Sequence, residues 1–234
     1  IMNLGEEKQT IDYNNLNLFD EWILSRLSEV ITETDYYYEK FDFNEASRVL
    51  YNFIWNEFAA WYVELSKVSL QNKEYKANTE AVLNHVLEAI LKLLHPFIPF
   101  VTDMLYQELT GEDSIIRESW PIANNVSSVS IKNTELIQEI ITKVRNLRAE
   151  HKVVPSKPLT INIVSENNDL LNLFNQYNEY LDKFLKVNKL IVSKKLELKN
   201  DTIILVGENY SIYIQKDEII DREQELKTLL KQKE

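Results

Sequence analysis

The chain contains 234 residues, of which 44% are hydrophobic and 11% aromatic, and its formal charge at pH 7 is -11. Aromatic side chains in this number predict a folded globular protein, because disordered chains are poor in them. The sequence contains no run of about 18 uncharged apolar residues, so no membrane-spanning helix is expected. The absence of Cys excludes disulfides, and with three His and three Gly neither a metal site nor a glycine-rich nucleotide loop is expected.

The first part of the chain, from Leu16 to about Leu109, has apolar residues at the three- and four-residue spacings of helices. The first predicted helix reads LFDEWILSRLSEVITETDYYYEK and carries Asp20 in its first turn, where the helix dipole favours an acid. The second has Asn44 as its predicted N-cap and a wide aromatic stripe, which predicts packing on several neighbours. The predicted inward residues of these two helices are Trp22, Leu27, Val30, Ile31, Val49, Phe53, Trp61 and Leu65.

Two more helices follow, NTEAVLNHVLEAILKLL and one with Pro96 in its first turn and Gly111 after its last. A further helix is predicted from about Asn133 to Lys152. Beyond Pro155 the pattern becomes α+β, with an amphipathic helix, DLLNLFNQYNEYLDKFLK, and a charged helix from 217 onward. The predicted strands of this part are LTINIV, KLIVSK, LELK, TIILVG and YSIYIQ.

The helix that ends near Lys152 leads into an unusually basic run for an acidic chain, KVRNLRAEHKVVPSKP. Arg145, Arg148 and Lys152 are three and four residues apart, so they share one helix face. Two interpretations remain open: phosphate binding, or ion pairs that join the two arginines to carboxylates of the helical part. We favour ion pairing for the arginines and RNA binding for the lysines beside the turn. The cations of the run are Lys143, Arg145, Arg148, Lys152 and Lys157.

Several strings together carry a family resemblance: LFDEWILSRL, FNEASRVLYNFIWNEFAAWYVELSK, VLEAILKLLHPFIPFVTDMLYQEL and VRNLRAEHKVVPSKPL, with a Ser-Trp-Pro at 119–121. In this order they resemble the C-terminal half of class I valyl-tRNA synthetases, over about Leu18 to Leu159. The opening string and the one around HPFIPF are shared with isoleucyl relatives. The string RNLRAEHKVVPSKP favours the valyl branch.

The resemblance implies a mainly α fold that begins with an antiparallel helical bundle of the anticodon-binding type at 1–155. A small α+β junction subdomain at 156–216 and the start of a C-terminal helical arm at 217–234 would follow. It also implies a tRNA partner, valine-specific, and a monomeric cytoplasmic protein without membrane association.

In the first two helices the resemblance makes Arg26, Lys40 and Arg48 candidate RNA contacts, although a single arginine on a helix is usually solvated or paired. Tyr36 to Tyr38 could stack on unpaired anticodon bases. The alternative is that these tyrosines close the end of the bundle with their hydroxyls in water.

Neither His-Ile-Gly-His nor Lys-Met-Ser-Lys-Ser, the signature strings of the synthetase catalytic half, occurs in the sequence. We therefore expect a piece of a longer enzyme, with no catalytic residue, metal or cofactor in this chain, while the parent enzyme would attach valine to its tRNA with ATP. Two alternatives stand: the same domain of an isoleucyl-type synthetase, and a helical-bundle protein-interaction module with no RNA role.

Overall fold

The structure is a computed structural model that describes residues 10–154, 157–195 and 201–219. It divides into two compact units between Thr134 and Glu135, whereas the sequence predicted a domain boundary after residue 155. The predicted fold class is confirmed, because a helical unit is followed by a small α+β unit. No helix in the described ranges is long and apolar enough to cross a membrane.

The first unit consists of helices joined by short turns, except for the longer stretch 111–127 between the last two helices, which contains a 3₁₀ helix (Ile115–Arg117). Asn17 caps the first of them, and its side chain accepts hydrogen bonds from the main-chain N–H groups of Phe19 and Asp20. Ser128–Glu150 forms α6, which begins in this unit and is longer than predicted. The other helical elements of the first unit are α1 (Leu18–Glu39), α2 (Phe43–Asn52), a π-helical segment (Phe53–Tyr62), α3 (Val63–Ser69), α4 (Lys76–Leu94) and α5 (Pro99–Thr110).

Two predicted helix starts are wrong. The N-cap of α2 is Asp42 rather than Asn44, because α2 begins one residue after Asp42 and the Asp42 carboxylate accepts the N–H of Glu45. The proline in the first turn of α5 is Pro99 rather than Pro96. The predicted stop of α5 is confirmed, because Gly111 follows its last turn with a φ of 75°, a left-handed conformation that glycine adopts without strain.

The core of the first unit contains seven of the eight residues predicted to point inward. The exception is Trp61, which is only half-buried, while its neighbour Tyr62 is fully buried. Both lie in the π-helical segment, where i→i+5 hydrogen bonds place more residues in each turn than the 3.6 of an α-helix. The inward face therefore moves by one residue, from Trp61 to Tyr62.

The second unit is a four-stranded sheet with helices that pack on it. The strand order is β2-β1-β4-β3, in which β1 is parallel to β2 and antiparallel to β4. Alternate residues of β1 and β4 are buried on one face of the sheet, as the period of a strand requires. The elements are β1 (Leu159–Val164), α7 (Asn168–Gln176), α8 (Asn178–Leu185), β2 (Val187–Ser193), β3 (Thr202–Gly207), β4 (Tyr210–Gln215) and α9 (Lys216–Ile219).

The single amphipathic helix predicted between β1 and β2 is wrong, since two short helices occupy this stretch. Tyr177 separates them with a φ of -104° and a ψ of 24°, which is outside the helical region. The predicted string LELK, at 196–199, lies outside the described residues, as do the tail from 220 onward and the Pro155 turn. The other four predicted strands are confirmed.

Candidate RNA-binding residues

Arg148, near the end of α6, is buried, with 7% of its surface exposed. Its guanidinium donates hydrogen bonds to three main-chain carbonyl oxygens, those of Lys157 at 2.7 Å, Leu185 at 2.8 Å and Lys186 at 3.3 Å. Burial lowers the pKa of Arg148, but an arginine keeps its charge in a protein. The predicted pairing of Arg148 with carboxylates of the helical part is therefore wrong, because its hydrogen-bond partners are carbonyl groups within the second unit.

Lys143 and Arg145, one helical turn earlier on α6, lie against aromatic rings. The Lys143 ammonium is 5.4 Å from the ring centroid of Tyr210, and it donates to the carbonyl of Val206 at 2.7 Å and pairs with Glu139 at 2.5 Å. The Arg145 guanidinium is 5.6 Å from the ring centroid of Phe184, although Arg145 is exposed. The charge of Lys143 is therefore balanced within its own unit.

Lys152 and Lys157 follow α6, and both are exposed. The helix ends in a Schellman motif, in which the N–H of Lys152 donates to Ala149 and that of Val153 donates to Arg148. Lys152 occupies the left-handed position of this motif, with a φ of 54°, where glycine is usual. Within the described part of the chain, neither lysine is paired with a carboxylate. Both ammonium groups are therefore available to a phosphate.

The two arginines of the first unit that were candidates are ion-paired. Arg26 makes two hydrogen bonds to Glu57, at 2.6 Å and 2.9 Å, and a further one to Glu29. The hydrogen bond to Glu57 is the main cause of the raised pKa of Arg26. Arg48, on the exposed face of α2, pairs with Glu45 at 2.6 Å. A phosphate would have to displace these carboxylates to reach either guanidinium.

The tyrosines at the end of α1 divide between the interior and the surface. The hydroxyl of Tyr38 donates to the carbonyl of Leu93 at 2.9 Å, and its ring contacts Phe43 at a centroid distance of 6.0 Å. Tyr36 is half-exposed, and the Lys40 ammonium lies 4.1 Å from its ring centroid and donates to its hydroxyl. Tyr38 therefore closes the end of the bundle, and Tyr36 remains on the surface.

Phe41, in the turn between α1 and α2, is an aromatic residue that our sequence interpretation missed. Its side chain is 79% exposed, and its φ is 57°. A non-glycine residue in this conformation costs about 1–3 kcal/mol, and such strain clusters at functional sites. Its ring lies 6.5 Å from that of Phe43, which is also exposed. In the sequence, the two phenylalanines on either side of Asp42 were the pattern that could have indicated these exposed rings.

Formal charge is distributed unequally between the two units. Residues 1–134 contain 10 Lys and Arg against 21 Asp and Glu, whereas residues 135–234 contain 16 of each. The first unit therefore carries the whole charge of -11. Because charges are screened over about 8 Å at physiological salt, phosphate attraction is expected near local groups of cations, and the neutral second unit opposes it less than the acidic first unit.

Comparison with known proteins gives the class of this chain. Residues 20–163 match the family described as the anticodon-binding domain of tRNA ligase, and the chain belongs to this family. Among its relatives are the valine–tRNA ligases of Staphylococcus epidermidis, 33% identical over 237 residues, and of Staphylococcus aureus, 34% identical over 237 residues. Each match covers 98% of this chain and 27% of the relative. The chain thus spans about a quarter of the length of the curated relatives that it matches.

Proposed function

We propose that this chain is the anticodon-binding part of a valine–tRNA ligase and that it binds a valine tRNA. The observation that carries the proposal is the similarity to valine–tRNA ligases along 98% of the chain, together with the family match over residues 20–163. The two relatives named above are valine–tRNA ligases, which supports the valyl branch over the isoleucyl alternative.

Each unit contributes a different chemistry to this proposed binding. In the first unit, the exposed ring of Phe41 stacks on an unpaired base, which suits an acidic surface because stacking needs no phosphate contact. In the second unit, the exposed ammonium groups of Lys152 and Lys157 contact phosphates, which gives affinity that does not depend on base sequence.

The chain supplies tRNA binding and not catalysis. It has three Gly and no Cys, and no group of three or more His, Asp or Glu side chains among the described residues could hold a metal ion. In this proposal the chain itself uses no cofactor, and the remainder of the ligase uses ATP to attach valine. We also propose that the protein acts in the cytoplasm as a monomer.

A tRNA-binding assay tests the proposal. Binding of a valine tRNA transcript should weaken steeply with added salt, and it should fall when Lys152 and Lys157 are both changed to Gln. Each lost phosphate contact lowers the slope of log affinity against log salt by about 0.7 to 0.9. The matched control is Lys67→Gln in the first unit, where Lys67 is exposed and paired with Glu64, and it should bind normally.

A second transcript separates base reading from phosphate binding. When the anticodon nucleotides of the valine tRNA are made abasic, affinity should fall for the unchanged protein, because the Phe41 ring then has no base on which to stack. Undetectable or salt-independent binding of the valine transcript contradicts the proposal. Equal binding to both transcripts contradicts anticodon recognition while leaving phosphate binding intact.

A further inference from the structure

Two helices of the second unit end in the same unusual way, with a lysine in the left-handed position. Lys152 follows α6 with a φ of 54°, and Lys186 follows α8 with a φ of 49°. The N–H of Lys186 donates to the carbonyl of Asp182, which is the hydrogen bond of the αL helix stop. Glycine is the usual residue at this position, since a side chain there is strained. A cation near a helix C-terminus recovers only about 0.3–1 kcal/mol from the helix dipole.

Arg148 joins the chain segments that carry these lysines. Its own carbonyl accepts the N–H of Val153, which fixes the turn that presents Lys152. Its guanidinium donates to the carbonyls of both Lys157 and Lys186, so one planar group holds the main chain at these two lysines. The start of β1 also holds Lys186 in place, because the N–H of Leu159 donates to the carbonyl of Lys186 at 3.4 Å.

The three lysines so gathered, Lys152, Lys157 and Lys186, are exposed, and among the residues that the structure describes none is paired with a carboxylate. The nearest acids along the chain are Glu150 on α6 and Asp182 on α8. Burial raises the pKa of Asp182.

We infer that Lys152, Lys157 and Lys186 form one phosphate-binding clamp for an RNA backbone and that Arg148 is its positioning residue. The inference rests on the proposed tRNA-binding function and deepens it by adding Lys186, which is distant in sequence from the basic run. Arg148 is buried and hydrogen-bonded to carbonyls, so it orders the three lysines without contacting the phosphate. The clamp reads no base, because ammonium groups that contact phosphates carry no sequence information.

Glycine substitutions test the clamp without confusing binding with folding. Lys152→Gly and Lys186→Gly each relieve the left-handed strain, so the melting temperature should not fall. Each should lower affinity for the valine tRNA transcript about five- to eightfold at about 0.1 M salt, and each should reduce the salt slope by about 0.7 to 0.9. Asn209→Gly is a matched backbone control, since Asn209 also has a positive φ, of 63°. Lys216→Gln is a matched charge control in the same unit, paired with Asp201.

Arg148→Lys tests the positioning role. It keeps the charge but loses the planar fork that binds two carbonyl groups at once, so affinity and salt slope should both fall. Arg145→Lys, on the same helix, is the control and should bind normally. If Arg148→Lys instead binds as tightly as the unchanged protein, Arg148 is not a positioning residue.

The outcomes distinguish the clamp from the function on which it rests. Normal binding by Lys186→Gly, with weakened binding by Lys152→Gly and Lys157→Gln, overturns the clamp but leaves tRNA binding in place. Normal binding by all the lysine variants overturns the clamp and the assigned phosphate contacts, whereas no binding by the unchanged chain overturns both the clamp and the tRNA-binding function. A lower melting temperature in Lys186→Gly with unchanged affinity assigns that lysine to the stability of α8 and also overturns the clamp.

Discussion

The hydroxyl of Tyr62 donates a 2.7 Å hydrogen bond to Oδ1 of Asp20, and this bond joins the π-helical segment to the first turn of α1. Oδ2 of the same carboxylate accepts the hydroxyl of Thr79 at 2.7 Å and the side-chain amide of Asn17 at 2.6 Å. All four side chains are buried. Burial outweighs the stabilising hydrogen bonds and raises the pKa of Asp20 to about 6.

Tyr62→Phe should destabilise the protein. The change removes one donor from a buried carboxylate and leaves Oδ1 of Asp20 unsatisfied, so the free energy of unfolding should fall by about 1.5–3 kcal/mol. Urea unfolding measures this loss. Tyr51→Phe is the control, because Tyr51 is 61% exposed and its change should stay within about 0.5 kcal/mol. If Tyr62→Phe also changed the free energy of unfolding by less than about 0.5 kcal/mol, the hydrogen bond between Tyr62 and Asp20 would not be stabilising.

Asp20 should make the folded state more stable as the solution becomes acidic. Its pKa is 3.8 when unperturbed and about 6 in the folded state, so the native protein binds more protons between these values. The contribution is complete below about pH 4 and is lost as the pH rises through about 6. Its full size is about 3 kcal/mol.

Asp20→Asn isolates this contribution, since other titrating groups cancel when the two proteins are compared at each pH. The difference in unfolding free energy between them should shift in favour of Asp20 by up to about 3 kcal/mol between pH 7 and about pH 4. Urea unfolding at a series of pH values measures it. A difference that stays constant across this range would show that Asp20 does not titrate there.

Phe41→Gly should separate stability from RNA binding. Glycine adopts the left-handed conformation of residue 41 freely, so the free energy of unfolding should not fall by more than about 1 kcal/mol. Loss of the exposed ring should cost about 1–3 kcal/mol of binding free energy for the valine tRNA transcript. Phe100→Ala is the control, because Phe100 is 90% exposed but lies on α5 in a regular helix. Reduced stability with unchanged binding would make Phe41 a packing residue.

Arg26→Gln should lower stability and leave RNA binding unchanged. The guanidinium of Arg26 is occupied by Glu57 and Glu29, and a half-buried pair of this kind contributes about 1 kcal/mol. Thermal unfolding and filter binding measure the two effects. Arg48→Gln, which breaks an exposed pair, should change neither quantity appreciably. A tenfold loss of affinity in Arg26→Gln would instead show that this arginine contacts the RNA.

The positions that the sequence predicted wrongly have local physical causes. Periodicity of 3.6 residues placed Trp61 inward, but the π-helical segment changes the number of residues per turn, and Tyr62 takes that place. An amphipathic pattern predicted one helix through Tyr177, although a single non-helical residue divides it without changing which residues are apolar. Periodicity reports which face is buried, and it does not report how the main chain reaches that face.

The sequence by itself determined the order of helices and strands, the α+β change after the basic run and the concentration of cations in that run. These follow from local spacing and from charge, which need no knowledge of distant contacts. Only the tertiary structure decided which cationic side chains are already bound to other groups of the protein. Arg148 is held by carbonyls 9 to 38 residues away along the chain, and Lys186 joins Lys152 and Lys157 through it. Such pairings depend on which chain segments meet in space, and sequence spacing carries no record of that.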